Sequence, residues 1–162
     1  MKKLLLFLDD KLEELFLVST LMFSVGLVFT QVVMRYVFHS SIFWSEELAR
    51  YLFIWQAWIG ASFATKHSRH LNIDFVSNIC PKTLQTILYW VTHLIWLGFV
   101  LYFTHRSALL TSLIFSRRAV TAALQIRIGW VYLAVPVGCA LMSFRLIQLM
   151  AYKSGLLKRG TA

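Results

Sequence analysis

Four runs of apolar residues, each near the length that crosses a bilayer, divide this sequence. A crossing helix takes about 20 mainly apolar residues. The first run is charge-free from Leu15 to Met34 and ends at Arg35-Tyr36. The second is charge-free only from Tyr51 to Thr65, and reaches spanning length if its helix starts near Trp44 with Glu46, Glu47 and Arg50 at the interface. The third runs from Thr83 to Thr104, and the fourth from Ile128 to Phe144 between Arg127 and Arg145. A lipid-facing barrel strand would alternate over about 10 residues, and these runs do not, so all four are predicted helices. The expected fold is an all-α membrane protein: one integral membrane domain over 1–162, with spans near 12–35, 44–66, 82–105 and 128–150 and one or two short interfacial helices.

Composition closes off the soluble alternative. Of 162 residues, 59% are hydrophobic and 14% charged, against about 45–50% and about 25% in soluble domains. A soluble fold of this size cannot hide the excess. The net charge of +9 does not mark a nucleic-acid binder, because the basic residues lie between apolar runs rather than on one face. Ten Lys and Arg fall on the side of the termini and the 66–82 loop, against six on the other, which predicts both termini in the cytoplasm. The opening Met1–Leu8 is too short an apolar core for a secretory signal before Asp9 and Asp10, so it is read as retained. Cys80 and Cys139 form neither a disulfide framework nor a metal knuckle and are expected to be small buried or interfacial residues.

Polar groups inside a membrane are costly, so each is a candidate site. Gln31 and Gln56 suit hydrogen bonding between helices. His93 is the lone ionisable group in mid-span. Haem ligation would need a second histidine at its depth, and His105 sits about 18 Å further along the same helix. A proton-coupled exporter would need an embedded carboxylate. Glu46 and Glu47 are the nearest, and they sit at a helix start, with Ser45 as a plausible cap and Arg50 spaced to pair with either. There is no nucleophile with a histidine base, no phosphate loop and no metal-spaced cluster, so no enzyme is expected and no cofactor is assigned to this chain.

Between the spans, His70–Ile79 reads as a short interfacial helix with His70 and Asp74 on its polar face, stopped by Pro81. The stretch from Ser107 to Ile126 reads as an extension of the third helix that returns as a loop along the outer surface. Trp55, Trp58 and Trp96 lie deep enough to pack, while Trp44 sits at a span end. Gly60 and Gly138 belong to small-residue faces that let helices approach, and Pro136 is expected to bend the fourth helix.

The blocks Gln31–Phe38, Trp44-Ser45-Glu46-Glu47-Leu48-Ala49-Arg50, His70–Phe75 and Ala123–Gly138 occur in an order that resembles the DctQ-type small membrane subunit of tripartite ATP-independent periplasmic (TRAP) transporters. The departure is Arg127, where such proteins often carry proline. The resemblance implies a noncatalytic permease subunit of the bacterial inner membrane. It would pack beside a large DctM-like membrane subunit as the stationary scaffold of an elevator. Sodium is expected on that partner, and a periplasmic binding protein would dock transiently to deliver an organic acid such as a C4-dicarboxylate or sialic acid. On this reading Trp55, Trp58, Gly60 and Trp96 are candidates for the large-subunit interface, and Arg117, Arg118 and Arg127 for docking the binding protein. The competing class is a haem-anchoring or redox subunit built on His93, and a third is an independent exporter.

Overall fold

The structure, a computed structural model, describes residues 2–40, 42–66 and 82–153. It has five helices among them: α1 (Lys2–Tyr36), α2 (Phe43–Lys66), α3 (Lys82–Ser116), the short α4 (Gly129–Tyr132) and α5 (Ala134–Lys153). The expected interfacial helix with His70 and Asp74 lies outside the described residues. Three stretches are long and apolar enough to cross a membrane: Glu14–Tyr36, Leu84–Ser116 and Gly129–Ala151. α2 is not among them. Arg50 and Gln56 dilute its apolar run, so length and composition support three spans where the sequence led us to expect four.

α5 is the centre of the packing. Its backbone comes close to both α2 and α3, whereas α1 reaches only α2 among the described residues. The helices therefore follow the spatial order α1, α2, α5, α3 rather than their order in the chain. In the apolar stretch Gly129–Ala151, which α4 and α5 share, 44% of residues are buried, against 6% in α1 and 11% in α3. The buried cluster is Val100, Cys139, Met142 and Leu146, with Trp58, Ala61, Trp96, Leu97 and Val135 packed on it. Large apolar residues such as Met22, Phe29, Ile95 and Phe99 face outward.

What lies inside is largely small and hydroxylic: Ser24, Ser62, Thr65, Ser107, Thr111 and Ser143 are all buried. This inversion suits lipid, where burying a leucine between helices gains little and close backbone approach gains dispersion contacts. Most of these hydroxyls donate one turn back along their own helix, Ser24 to Thr20 O at 2.8 Å and Ser143 to Cys139 O at 2.9 Å, which satisfies them away from water, while the buried Ser62 hydroxyl has no hydrogen-bond partner among the described residues. The tightest approach is at Gly138, where an added Cβ would lie 2.6 Å from Trp58 Cβ and 3.0 Å from the Trp58 carbonyl oxygen.

α3 continues to Ser116, as expected, so its 35 residues span about 52 Å against a hydrocarbon core of about 30 Å. Arg106 is accommodated within it by donating to the Tyr102 hydroxyl (3.1 Å) and lying over the Tyr102 ring. The fourth run stays helical across Pro136: α4 ends at Tyr132 and α5 begins at Ala134, and Leu133 between them holds right-handed helical angles (φ −60°, ψ −25°), donates to Gly129 O at 3.0 Å and accepts from Val137 N at 3.2 Å. Pro136 has no N–H to give the Tyr132 carbonyl. The Thr111 hydroxyl, which donates mainly to Ser107 O at 2.8 Å, reaches that carbonyl at 3.4 Å.

Candidate functional site

The end of the molecule that carries the C-terminal end of α1, the start of α2 and the 117–128 loop is organised around Glu47. α2 starts at Phe43, three residues earlier than a Ser45 cap requires. Ser45 is consequently buried inside the first turn, and its hydroxyl donates back to Ile42 O at 2.8 Å instead of capping an N–H. Glu46 and Glu47 then diverge by about 100° around the helix. Glu46 accepts from Arg50 at 3.3 Å, with the two side chains 62% and 67% exposed, a pair that contributes little to stability. Glu47 points the other way, into the 117–128 loop. Its Oε2 accepts from the backbone N–H groups of Ala123 (2.7 Å) and Leu124 (3.1 Å), and its Oε1 accepts from the Tyr51 hydroxyl.

The loop gripped by Glu47 is itself a closed turn. Thr121 N donates to Ile126 O at 2.8 Å, Ile128 N to Ala119 O at 3.0 Å, and Ile126 N to Thr121 Oγ1 at 3.3 Å, with Gln125 in the left-handed region at φ 55°. Its far side is closed by Phe115, whose ring covers Gly129 and stands edge-on to Trp130 at 5.8 Å. Arg117, Arg118 and Arg127 are exposed on this unit, and Arg118 turns the chain at the end of α3 with φ 50°. The three arginines thus share one loop end with Glu46 and Arg50, on a backbone anchored to α2.

The deeper candidates separate. Trp58 stacks on Phe103 with centroids 6.0 Å apart and seats against Gly138, and Trp96 packs on the central cluster. Each offers a neighbour only the minor part of its surface that this packing leaves. Trp55 is half-buried and Trp44 exposed. An added Cβ at Gly60 meets nothing within 4 Å, so Gly60 fronts open space. Gln56 donates to Ser24 Oγ at 3.4 Å, making the expected α1–α2 contact. His93 is buried, its Nδ1–H donating to Tyr89 O at 2.8 Å and its ring lying on Tyr89. Among the described residues no group of three or more His, Cys, Asp or Glu is placed to hold a metal ion. His70 and Asp74 lie outside the described residues.

The residue that sequence reasoning under-read is Glu47, assigned with Glu46 as a partner for Arg50. The available signal was its own spacing: Tyr51 stands four residues on, as Arg50 does from Glu46, so the two acid–donor pairs occupy adjacent faces of one helix.

Comparison with known proteins gives a consistent result. A family model described as tripartite ATP-independent periplasmic transporters, DctQ component, matches residues 24–154. The chain is 33% identical over 140 residues to the sialic acid TRAP transporter permease protein SiaT of Haemophilus influenzae, covering 86% of this chain and 22% of that protein. It is 39% identical over 88 residues to a putative TRAP transporter small permease protein of H. influenzae, covering 54% of this chain and 55% of that one. To the C4-dicarboxylate TRAP transporter small permease protein DctQ of Vibrio cholerae it is 29% identical over 163 residues, covering 86% and 70%. The chain therefore spans about a fifth and about half of the lengths of the first two relatives.

Proposed function

Given that this chain belongs to the DctQ family of TRAP transporter components, we propose that it is the small permease subunit of a TRAP system for organic acids, held against a large membrane subunit. The family is one of transport components rather than enzymes. The observation that carries the reading is the SiaT match: 86% of this chain aligns with 22% of a much longer permease protein. In that relative the counterpart of this chain is covalently joined to a larger remainder, and here the two would meet as separate chains. The relatives named for sialic acid and C4-dicarboxylate support a carboxylate substrate. The haem-anchoring alternative finds no support among them.

In this reading α2 is the fourth span, lying between α1 and α5, with both termini in the cytoplasm of the inner membrane and the loop end facing the periplasm. The chain acts as stationary scaffold for a sodium-driven elevator, and the sodium and substrate sites belong to the large subunit. The face around Gly60, with the free surfaces of Trp55, Trp58 and Trp96, packs on that subunit. Arg117, Arg118 and Arg127 meet an acidic patch on the binding protein, an attraction that weakens with salt.

A substitution separates this from packing within the chain. Gly60→Leu introduces a side chain where this chain has open space. The expected result is normal accumulation of the small subunit and loss of most of the large subunit from a tagged pull-down. Unchanged recovery of the large subunit would remove Gly60 from the interface.

A further inference from the structure

A groove of about 630 Å³ opens between α1 and α2 at the loop end, and its chemistry changes in order along its length. α1 and α2 meet where Gln56 donates to Ser24. Stepping from that pair toward the loop end of the antiparallel helices brings Val28 to the level of Phe53, Gln31 to that of Ala49–Arg50, and Arg35 to that of Glu46. All of these residues line the groove. The rim thus carries the Arg35 guanidinium and the Glu46 carboxylate, with the Arg50 guanidinium reaching up to Glu46 at 3.3 Å; the Gln31 amide lies one level in, and the floor is hydrocarbon.

We infer that this groove binds one anionic glycerophospholipid, its phosphodiester held by Arg35 and Arg50 and an acyl chain lying along Val28, Phe53 and Ala57. The inference rests on the topology above, which puts this rim at the periplasmic interface. Charge decides the class of lipid. Arg35 and Arg50 with Glu46 leave one net positive charge at the rim, which a phosphodiester with no cationic headgroup neutralises and a zwitterionic lipid does not. Arginine suits the role because its planar fork donates two parallel bonds to phosphate oxygens. Gln31 then has a partner in a glycerol ester carbonyl, which settles an amide that would otherwise face hydrocarbon. Arg35 closes the last turn of α1, where its charge also offsets the helix dipole. Bound lipid would fill this open side of the α1–α2 pair and so steady α1, which has no other helix to lean on among the described residues.

The test is native mass spectrometry of the full chain in mild detergent, presented with phosphatidylglycerol or phosphatidylcholine of identical acyl chains. The proposal expects one retained phosphatidylglycerol, favoured by about tenfold over phosphatidylcholine, and a loss of about tenfold in retention for Arg35→Gln/Arg50→Gln. Soluble glycerol phosphate in excess should not displace the lipid, since it lacks the acyl chain. Should the double variant fail to fold, Arg35→Lys reads the same point, keeping charge and losing the fork, with an intermediate loss expected. Equal retention of the two lipids, wild-type retention by the arginine variants, displacement by glycerol phosphate, or a large subunit that covers the groove and excludes lipid would each overturn it. Topology is read separately by labelling a cysteine placed at Ser116 with an impermeant thiol reagent. Outside labelling without lipid retention sinks the lipid site alone, and labelling only from the cytoplasm sinks the topology.

Discussion

Gly138→Leu is expected to prevent α2 and α5 from closing, so that the chain fails to accumulate as a monodisperse species. Even a single methyl group there would sit 2.6 Å from Trp58 Cβ and 3.0 Å from its carbonyl oxygen. Neither atom can swing away, because the Cβ and carbonyl move only with the α2 backbone. Gly138→Ala should therefore lower stability by about 1–3 kcal/mol, the usual range for overpacking a filled core. Leucine adds three more carbons at the same point and displaces Trp58 from Phe103 and the Val100–Cys139–Met142–Leu146 cluster. Gly98→Ala is the control, since a Cβ there meets nothing within 4 Å and alanine favours helix by up to about 1 kcal/mol. Size-exclusion profiles and thermal melts in detergent check both. A Gly138→Leu chain that elutes and melts like the parent would refute the close approach.

Glu47→Ala should free the 117–128 loop while leaving the helices assembled. The carboxylate is the acceptor for the Ala123 and Leu124 amides and for the Tyr51 hydroxyl, and alanine replaces none of these bonds. Hydrogen exchange at those two amides should accelerate on the order of tenfold, as expected when charge-assisted bonds are lost. Glu46→Ala, which removes only an exposed ion pair, should leave them unchanged. If the loop presents its arginines to the binding protein, Glu47→Ala should also lower uptake at limiting binding protein. Reversing Arg117, Arg118 and Arg127 should lower it too, most strongly at low salt. Wild-type exchange in Glu47→Ala would remove the latch. Faster exchange with normal uptake would keep the latch and remove the docking role.

Much of the architecture was legible because charge is so costly in lipid that its absence draws the spans directly. The first, third and fourth runs appear as apolar stretches at the expected places. The extension of α3 was also legible, although why Arg106 does not end that helix is a matter of side-chain reach to Tyr102. Contacts between distant segments were not legible. Nothing local distinguishes Gly138, which is pressed against Trp58, from Gly26, Gly60 or Gly98, which face open space. Ser45 fits a cap in sequence, and only the start of α2 at Phe43 turns it inward. The helix bond that Pro136 removes was legible, whereas the approach of Thr111 to the carbonyl the proline leaves unpaired was not. The spatial order of the helices, with α5 between α2 and α3, has no local trace at all.

The central claim is that this chain works as one component of a larger membrane transporter. The most direct measurement is to express it with its genomic neighbours, purify it by a tag in mild detergent, and identify by mass spectrometry what accompanies it. The account predicts one large multispan protein in equal amount. A chain that purifies alone as its own oligomer, with such a neighbour expressed and left behind, would contradict it.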